Sequence, residues 1–396
     1  MDMQIDFSDL CMLLTEKFGD DPKICPSARM LLDYSLVRWV KIGMSLAKTG
    51  VPAGKDIDWE AMLERFSKRI LSAGEPQKGN TTGMVWPSHP GAAWMCARGL
   101  AKVSDEVIAA ADSLLEEGHR DLDGLFDDPV YPGHLSTVHL AMTVPFLAWA
   151  GKISSQARYF DEAVKQFTGY AGKLYDPAAR LWHPGFLPGK ANAAMTGGFW
   201  DHSCMVPELY PEKVGVYPGC WGSGEGYALF ALSELIFELP DGHEAKQKLI
   251  GMRVDMLEGL LGHQDPNGMW HQVLNDWGSY PETSGTAWIL YAMGRMIKRR
   301  PESRAAFLAP YQRGLAGLGR YLGWNGTLFN ASAGCICPGG RGTVADYALL
   351  GWHQDEPAGY APVLLALQQA AQIEHAANLI PSYQEVIKQF PGDEVI

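Results

Sequence analysis

Eleven histidines are spread along the 396-residue chain. Five of them, His89, His134, His139, His183 and His353, fall in or beside segments rich in glycine, proline and aromatic residues. An imidazole with an ordinary pKa of ~6.5 serves as acid or base near neutrality. His139 stands where a loop gives way to helical periodicity, four residues before Thr143. It is open to two readings, an acid/base group or a histidine hydrogen-bonded inside the fold. Glu225 lies in WGSGEG, a glycine-rich turn opening another helix, where a carboxylate is an acid/base candidate or a first-turn stabiliser. Facing each other, His139 and Glu225 would pair groups of different intrinsic pKa. Asp127 and Asp128 in FDDPVYPG are further carboxylates, and a solvated turn before Pro129 is their simpler reading.

Other chemistries find less support. Histidines on several loops invite a metal, yet no H-x-x-x-H or H-E-x-x-H pair occurs, so no metal and no cofactor is expected. The G-x-G spacing in WGSGEG follows no predicted strand and is not a dinucleotide fingerprint. No G-x-S-x-G supports a serine nucleophile.

The elements that must position these residues are helices. PSARMLLDYSLVRWVKIGMSLAKTG sets Met30, Leu31, Tyr34, Val37, Trp39, Val40 and Met44 on one apolar stripe, with Gly50 as a stop. Similar patterns run near 58–73, 91–102, 104–117, 135–150, 157–174, 223–238, 243–264, 283–297, 301–322, 342–351 and 358–375, about twelve helices by periodicity. No run of alternating strands stands out. Six helical hairpins closed into a ring would gather every second loop at one end as a funnel. Trp86, Trp182, Trp200, Trp221, Trp270 and Trp277 lie in such loops, and aromatic faces suit the apolar faces of sugar rings. No linker or charge run divides the chain, so residues 1–396 read as one domain.

Composition bounds the rest. Lys+Arg number 33 and Asp+Glu 45, a net charge of −12, which argues against a nucleic-acid partner held by bulk charge. Hydrophobic residues make up 47% of the chain, enough to exclude disorder, and no long apolar run predicts a membrane span. The N-terminal segment is acidic where a secretory leader needs a basic start, so a cytoplasmic protein is expected. Seven scattered cysteines fit reduced thiols, and the sequons at Asn80, Asn325 and Asn330 read as chance.

WGSGEGYALFALSELIFELP (221–240) and LLGHQDPNGMWHQVLNDWGSYPETSGTAWILYAMGR (260–295) resemble the unsaturated glucuronyl and rhamnogalacturonyl hydrolases, glycoside hydrolase families 88 and 105, with 105 the nearer. VPFLAWAGKISSQARYFDEAVKQF, KLYDPAARLWHPGF and QDEPAGYAPVLLALQQA extend the resemblance over roughly 120–375. It implies an all-α (α/α)6 toroid and an enzyme of polysaccharide degradation that needs no metal or organic cofactor. In that chemistry an Asp protonates a vinyl ether, water adds at C5, and the hemiketal opens to expel the aglycone.

The resemblance also marks departures. Alignment on Pro145 sets Val138 and His139 over the family's acids, and matching WGSGEGY to the family's W-G-R-G-N-G-W sets Ser223 over an Arg expected to hold the uronate, Glu225 over an Asn and Tyr227 over a Trp. Pro87, Ser88 and His89 stand where another Asp is expected. By this resemblance His139 and Glu225 are the catalytic candidates. His89, His134, His183, Trp221, Tyr227, Trp270, Tyr280, His353 and Asp355 are the substrate-binding candidates. Glu282 and Thr283 of ETSG are expected to be largely structural. Lys190, Arg341 and Arg98 are weak substitutes for the missing Arg. The expected partner is a small uronide-containing oligosaccharide, with the oligomeric state left open. Alternatives are a lyase or saturated-glycoside hydrolase using His139 or Glu225, and a non-catalytic sugar-binding relative. An isomerase or epimerase on the same ring fits ETSGTA less well.

Overall fold

A computed structural model describes residues 26–48, 57–72, 86–188, 215–299, 304–323, 325–335 and 343–374. Six helices have little or no polar face and line the inside: α1 (Pro26–Lys48), α3 (Pro90–Ala97), α5 (Thr137–Ser154), α7 (Gly222–Glu238), α9 (Thr283–Arg299) and α12 (Pro357–Glu374). In α5 every residue from His139 to Gly151 is buried, as a helix enclosed on all sides requires. Each packs on the next in this order and α12 returns to α1, so the inner ring is closed. Gln368 of α12 donates across that seam to the Ser35 carbonyl at 2.7 Å.

Around the ring lie α2 (Trp59–Ser72), α4 (Ser104–Glu117), α6 (Ala157–Leu174), α8 (Lys246–Leu261) and α10 (Arg304–Gly319). These are one-faced. Helix α2 buries Trp59, Met62, Phe66 and Ile70, a three-to-four-residue repeat, and α6 buries Tyr159, Ala163, Gln166, Tyr170 and Leu174. The architecture is the expected (α/α)6 toroid. The apolar segment at 342–351 is not a ring member. It forms α11 (Val344–Leu350), seven residues fixed by a capping box between Thr343 and Asp346, within the loop before α12.

Every inner helix starts at the same end of the ring, and the long loops are the ones leading into those starts. They carry four two-residue ribbons: β1 (Leu135–Ser136) with β4 (Gly185–Phe186), β2 (Tyr175–Asp176) with β3 (Leu181–Trp182), β5 (Trp270–His271) with β6 (Pro281–Glu282), and β7 (Ala331–Ser332) with β8 (Trp352–His353). All four pairs are antiparallel. The loops leading into the inner helices are thus stiffened by ribbons too short to show alternation in sequence.

Midway down, the inner helices meet through charge. Glu234 of α7 accepts from Arg38 of α1 at 3.0 Å and from Arg295 and Tyr291 of α9, while Tyr34 bonds Arg38. Burial alone would raise the Glu234 pKa, but the two guanidiniums hold it near 2. No helix among the described residues is long and apolar enough to cross a membrane.

Candidate active site

His139 is the third residue of α5, at the funnel end. Ser136 caps this helix by accepting from the Val138 N–H at 3.1 Å, and β1–β4 pairing plus a Thr137 N–H bond to the Pro184 carbonyl at 3.0 Å fix its entry. The chain before it turns tightly: Asp128 N–H bonds the His134 carbonyl at 3.2 Å, and the Asp128 carboxylate takes the Val130 N–H at 2.8 Å. That turn delivers two side chains to His139. The His134 ring lies edge-on to it, centroids 5.6 Å apart at 67°. Asp128 Oδ2 stands 3.6 Å from His134 Nδ1.

All three are buried, Asp128 and His134 completely. Both nitrogens of His139, both nitrogens of His134 and Oδ2 of Asp128 lack a hydrogen-bond partner. Buried polar groups are ordinarily paired, so such a cluster stands ready for a ligand or a proton. Burial lowers the His139 pKa to about 3, helped by His134 and opposed by Asp128. For Asp128, burial pushes upward, but the His134 side chain and the Val130 N–H outweigh it and hold the carboxyl below its ordinary range. The solvated-turn reading of Asp127 and Asp128 is thus corrected. Asp127 is also buried, holding His119 and the Gly133 N–H.

Glu225 is elsewhere. It is fully buried in the first turn of α7, one oxygen taking the Trp182 N–H of β3 at 2.7 Å and the other unpartnered. Burial lifts its pKa to about 8, so at neutrality it is a protonated acid. Glu225 and His139 open inner helices that pack on one another, and no hydrogen bond or ion pair joins the two side chains.

Most other candidates have structural occupations. His89 caps α3, its Nδ1 accepting from the Gly91 N–H at 3.1 Å, with its Nε2 buried and unpartnered 3.8 Å from Asp33 Oδ2. His183, between β3 and β4, holds the Tyr217 carbonyl through Nδ1 at 3.0 Å. Trp270 is a correction: it is fully buried, with its indole N–H on the Leu260 carbonyl and its backbone N–H on Thr286, and offers no face for stacking. Trp221 is buried under Tyr347 of α11 and beside Tyr227, its indole N–H on Ser332. Tyr280 donates to the Gly351 carbonyl at 2.6 Å. Asp355 receives the Leu328 N–H and Tyr360, while His353 is exposed beside Glu356 at 3.3 Å.

Ser223, at the position of the family's Arg, bonds Glu282 at 3.0 Å and Ser284 at 2.8 Å. Glu282 also takes the N–H groups of Ser284, Gly285 and Ser332 and the Ser284 hydroxyl. It is the knot at the start of α9 that the ETSG pattern suggested. Arg98 binds Glu238 at the opposite end of the ring, whereas Lys190, Arg341 and Trp200 lie outside the described residues. Among the described residues, no group of His, Cys, Asp and Glu is arranged to hold a metal.

Residues 98–373 match the sequence profile of Glycosyl Hydrolase Family 88. The chain belongs to that family. Among the relatives of this family 88 chain is the unsaturated rhamnogalacturonyl hydrolase YesR of Bacillus subtilis (strain 168), 26% identical over 164 residues, 41% of each chain. An unsaturated 3S-rhamnoglycuronyl hydrolase of an Alteromonas species (strain LOR) is 36% identical over 78 residues, 19% of each. The alignments therefore span well under half of these curated relatives. A solved structure of a possible family 105 member from Salmonella enterica has the same fold, with TM-score 0.71, 18% identity and 92% and 93% of the two chains covered. The sequence offers Asp128 as a displaced carboxylate or, more simply, a turn residue, and its spacing from His134 across a Pro-Gly turn is the signal that favours the first.

Proposed function

We propose that this chain removes a terminal unsaturated uronyl group from a small oligosaccharide by hydrating its C4=C5 bond, with His139 as the acid. The observation carrying this reading is the buried His139–His134–Asp128 cluster at the head of α5, in which Asp128 Oδ2 and all four imidazole nitrogens have no hydrogen-bond partner. His139 alone is neutral, but a uronate carboxylate entering the funnel adds a second negative charge beside Asp128 and draws a proton onto the imidazole. The imidazolium then takes over both duties of the absent Arg and Asp: it pairs with the carboxylate and gives its proton to C4. Water adds at C5, and the resulting hemiketal opens to release the aglycone. No proton is lost in the cycle, since the one returned by water restores the cluster.

The test is ultraviolet absorbance of lyase-generated unsaturated disaccharides, together with calorimetry in two buffers of different ionisation enthalpy. Expected are loss of the chromophore, its abolition in His139→Gln, and uptake of about one proton on binding. Turnover without proton uptake would remove His139 as the acid.

A second reading rests on the low His139 pKa. A neutral imidazole is a base, able to take the C5 proton of a saturated uronide; the C4–O4 bond breaks as the C4=C5 bond forms, and the imidazolium returns that proton to the departing O4 oxygen. A rise rather than a fall in absorbance marks that reaction.

A further inference from the structure

Tryptophan exposure is sharply uneven. Of the eleven described tryptophans, nine are buried, while Trp277 is 57% and Trp352 46% exposed. Both exposed rings sit at the funnel end. Trp277 lies on the β5–β6 loop leading into α9, and Trp352 opens β8, just before α12. The Tyr280 hydroxyl, three residues after Trp277, bonds the carbonyl of Gly351, one residue before Trp352, so the two loops are tied together.

Trp277 is also held in place. His271 meets it edge-on, centroids 5.6 Å apart at 70°, and His271 is fixed by the buried Asp265 at 3.3 Å. Asp265 in turn takes the Met269 N–H at 2.9 Å. An exposed indole costs hydrophobic free energy, and a supported one spends no further entropy on binding.

From these contacts we infer that Trp277 and Trp352 form an outer sugar subsite at the funnel mouth, which takes the aglycone rings of a substrate longer than a disaccharide. This rests on the uronide reading above for the identity of the inner ring. The occupant is a neutral sugar. Asp276 stands beside Trp277 and Glu356 beyond Trp352, so acidic groups flank the indoles and a second uronate there meets like charge. The apolar face of a pyranose stacks on an indole without any charge.

The experiment uses the full chain with two unsaturated uronides, a disaccharide with a neutral aglycone ring and the tetrasaccharide unsaturated glucuronyl-Glc-Rha-Glc, whose three remaining rings are all neutral. Wild type is expected to favour the tetrasaccharide in kcat/KM by about tenfold, equivalent to about 1.4 kcal/mol of added transition-state binding. Trp277→Ala and Trp352→Ala bring that ratio to near 1, with thermal midpoints within about 2 °C of wild type as the check on folding. Intrinsic fluorescence gives a reading free of turnover: the tetrasaccharide shifts wild-type emission to the blue, and the double variant loses the shift. Loss of the shift in the double variant supports the subsite even where no uronide is turned over, which separates it from the hydrolase reading. An unchanged ratio in the variants, no chain-length preference, or a concentration-dependent dimer broken by Trp277→Ala would overturn it, the last by giving the face to a second copy.

Discussion

Glu225 is the residue whose titration should be felt by the whole fold. Its pKa moves from an ordinary 4.5 to about 8 because it is enclosed with only the Trp182 N–H to stabilise its charge. A group with a raised folded pKa contributes fully below the unfolded value, here about pH 4.5, and that contribution is lost as pH rises through 8. The full shift corresponds to about 5 kcal/mol, an upper figure for a side chain that can recruit water once charged. Glu225→Gln keeps an acceptor for Trp182 and removes the titration. At pH 5 the two proteins should differ by less than about 1 kcal/mol in urea unfolding. By pH 9 the variant should be more stable, by about 2–5 kcal/mol. The difference curve should rise with a midpoint between 4.5 and 8. Parallel stability curves from pH 5 to 9 would refute the reasoning, since they require Glu225 to ionise as easily in the fold as out of it.

Asp128→Asn keeps the acceptor for the Val130 N–H but removes the charge beside His134 and His139. The pH profile of kcat/KM on unsaturated disaccharides should move down by about 1–2 units, with turnover at pH 7 reduced by about tenfold or more; an unmoved profile disconnects Asp128 from the acid. Gly268 has φ +91°, and an added Cβ would stand 2.1 Å from the Arg313 carbonyl oxygen. Gly268→Ala should cost at least about 2 kcal/mol in denaturant unfolding, because both the backbone conformation and a carbonyl of α10 oppose it.

Sequence periodicity located the ring because helices were the only repeating pattern. The stripe from Met30 to Val40 is buried as read. The 91–102 segment ends early, at Ala97, because Gly99 turns the chain at φ +68°. The ribbons escaped notice since two residues cannot alternate. In the site, alignment on Pro145 led to His139, but its partners come from a turn whose burial depends on distant packing. The seven residues from Asp128 to His134 read as an exposed loop, and Pro129, Val130 and Pro132 are indeed exposed, while the two ends, Asp128 and His134, turn inward. Trp270 misled for the converse reason: a glycine-rich loop suggested a sugar platform, and its indole N–H was already committed to the Leu260 carbonyl.

The closed inner ring has a consequence for how the chain is made. Helix α1 has two neighbours in the ring, and one of them, α12, lies more than 300 residues later, with the Ser35–Gln368 bond spanning the seam. Until α12 is synthesised, an arc of five enclosed-type helices presents two open apolar edges, at α1 and at α9. Contacts of such sequence separation close slowly, and exposed apolar edges associate with other chains. Ring closure is therefore a late event, and the interval between the emergence of α9 and the docking of α12 is when this chain most needs protection from aggregation.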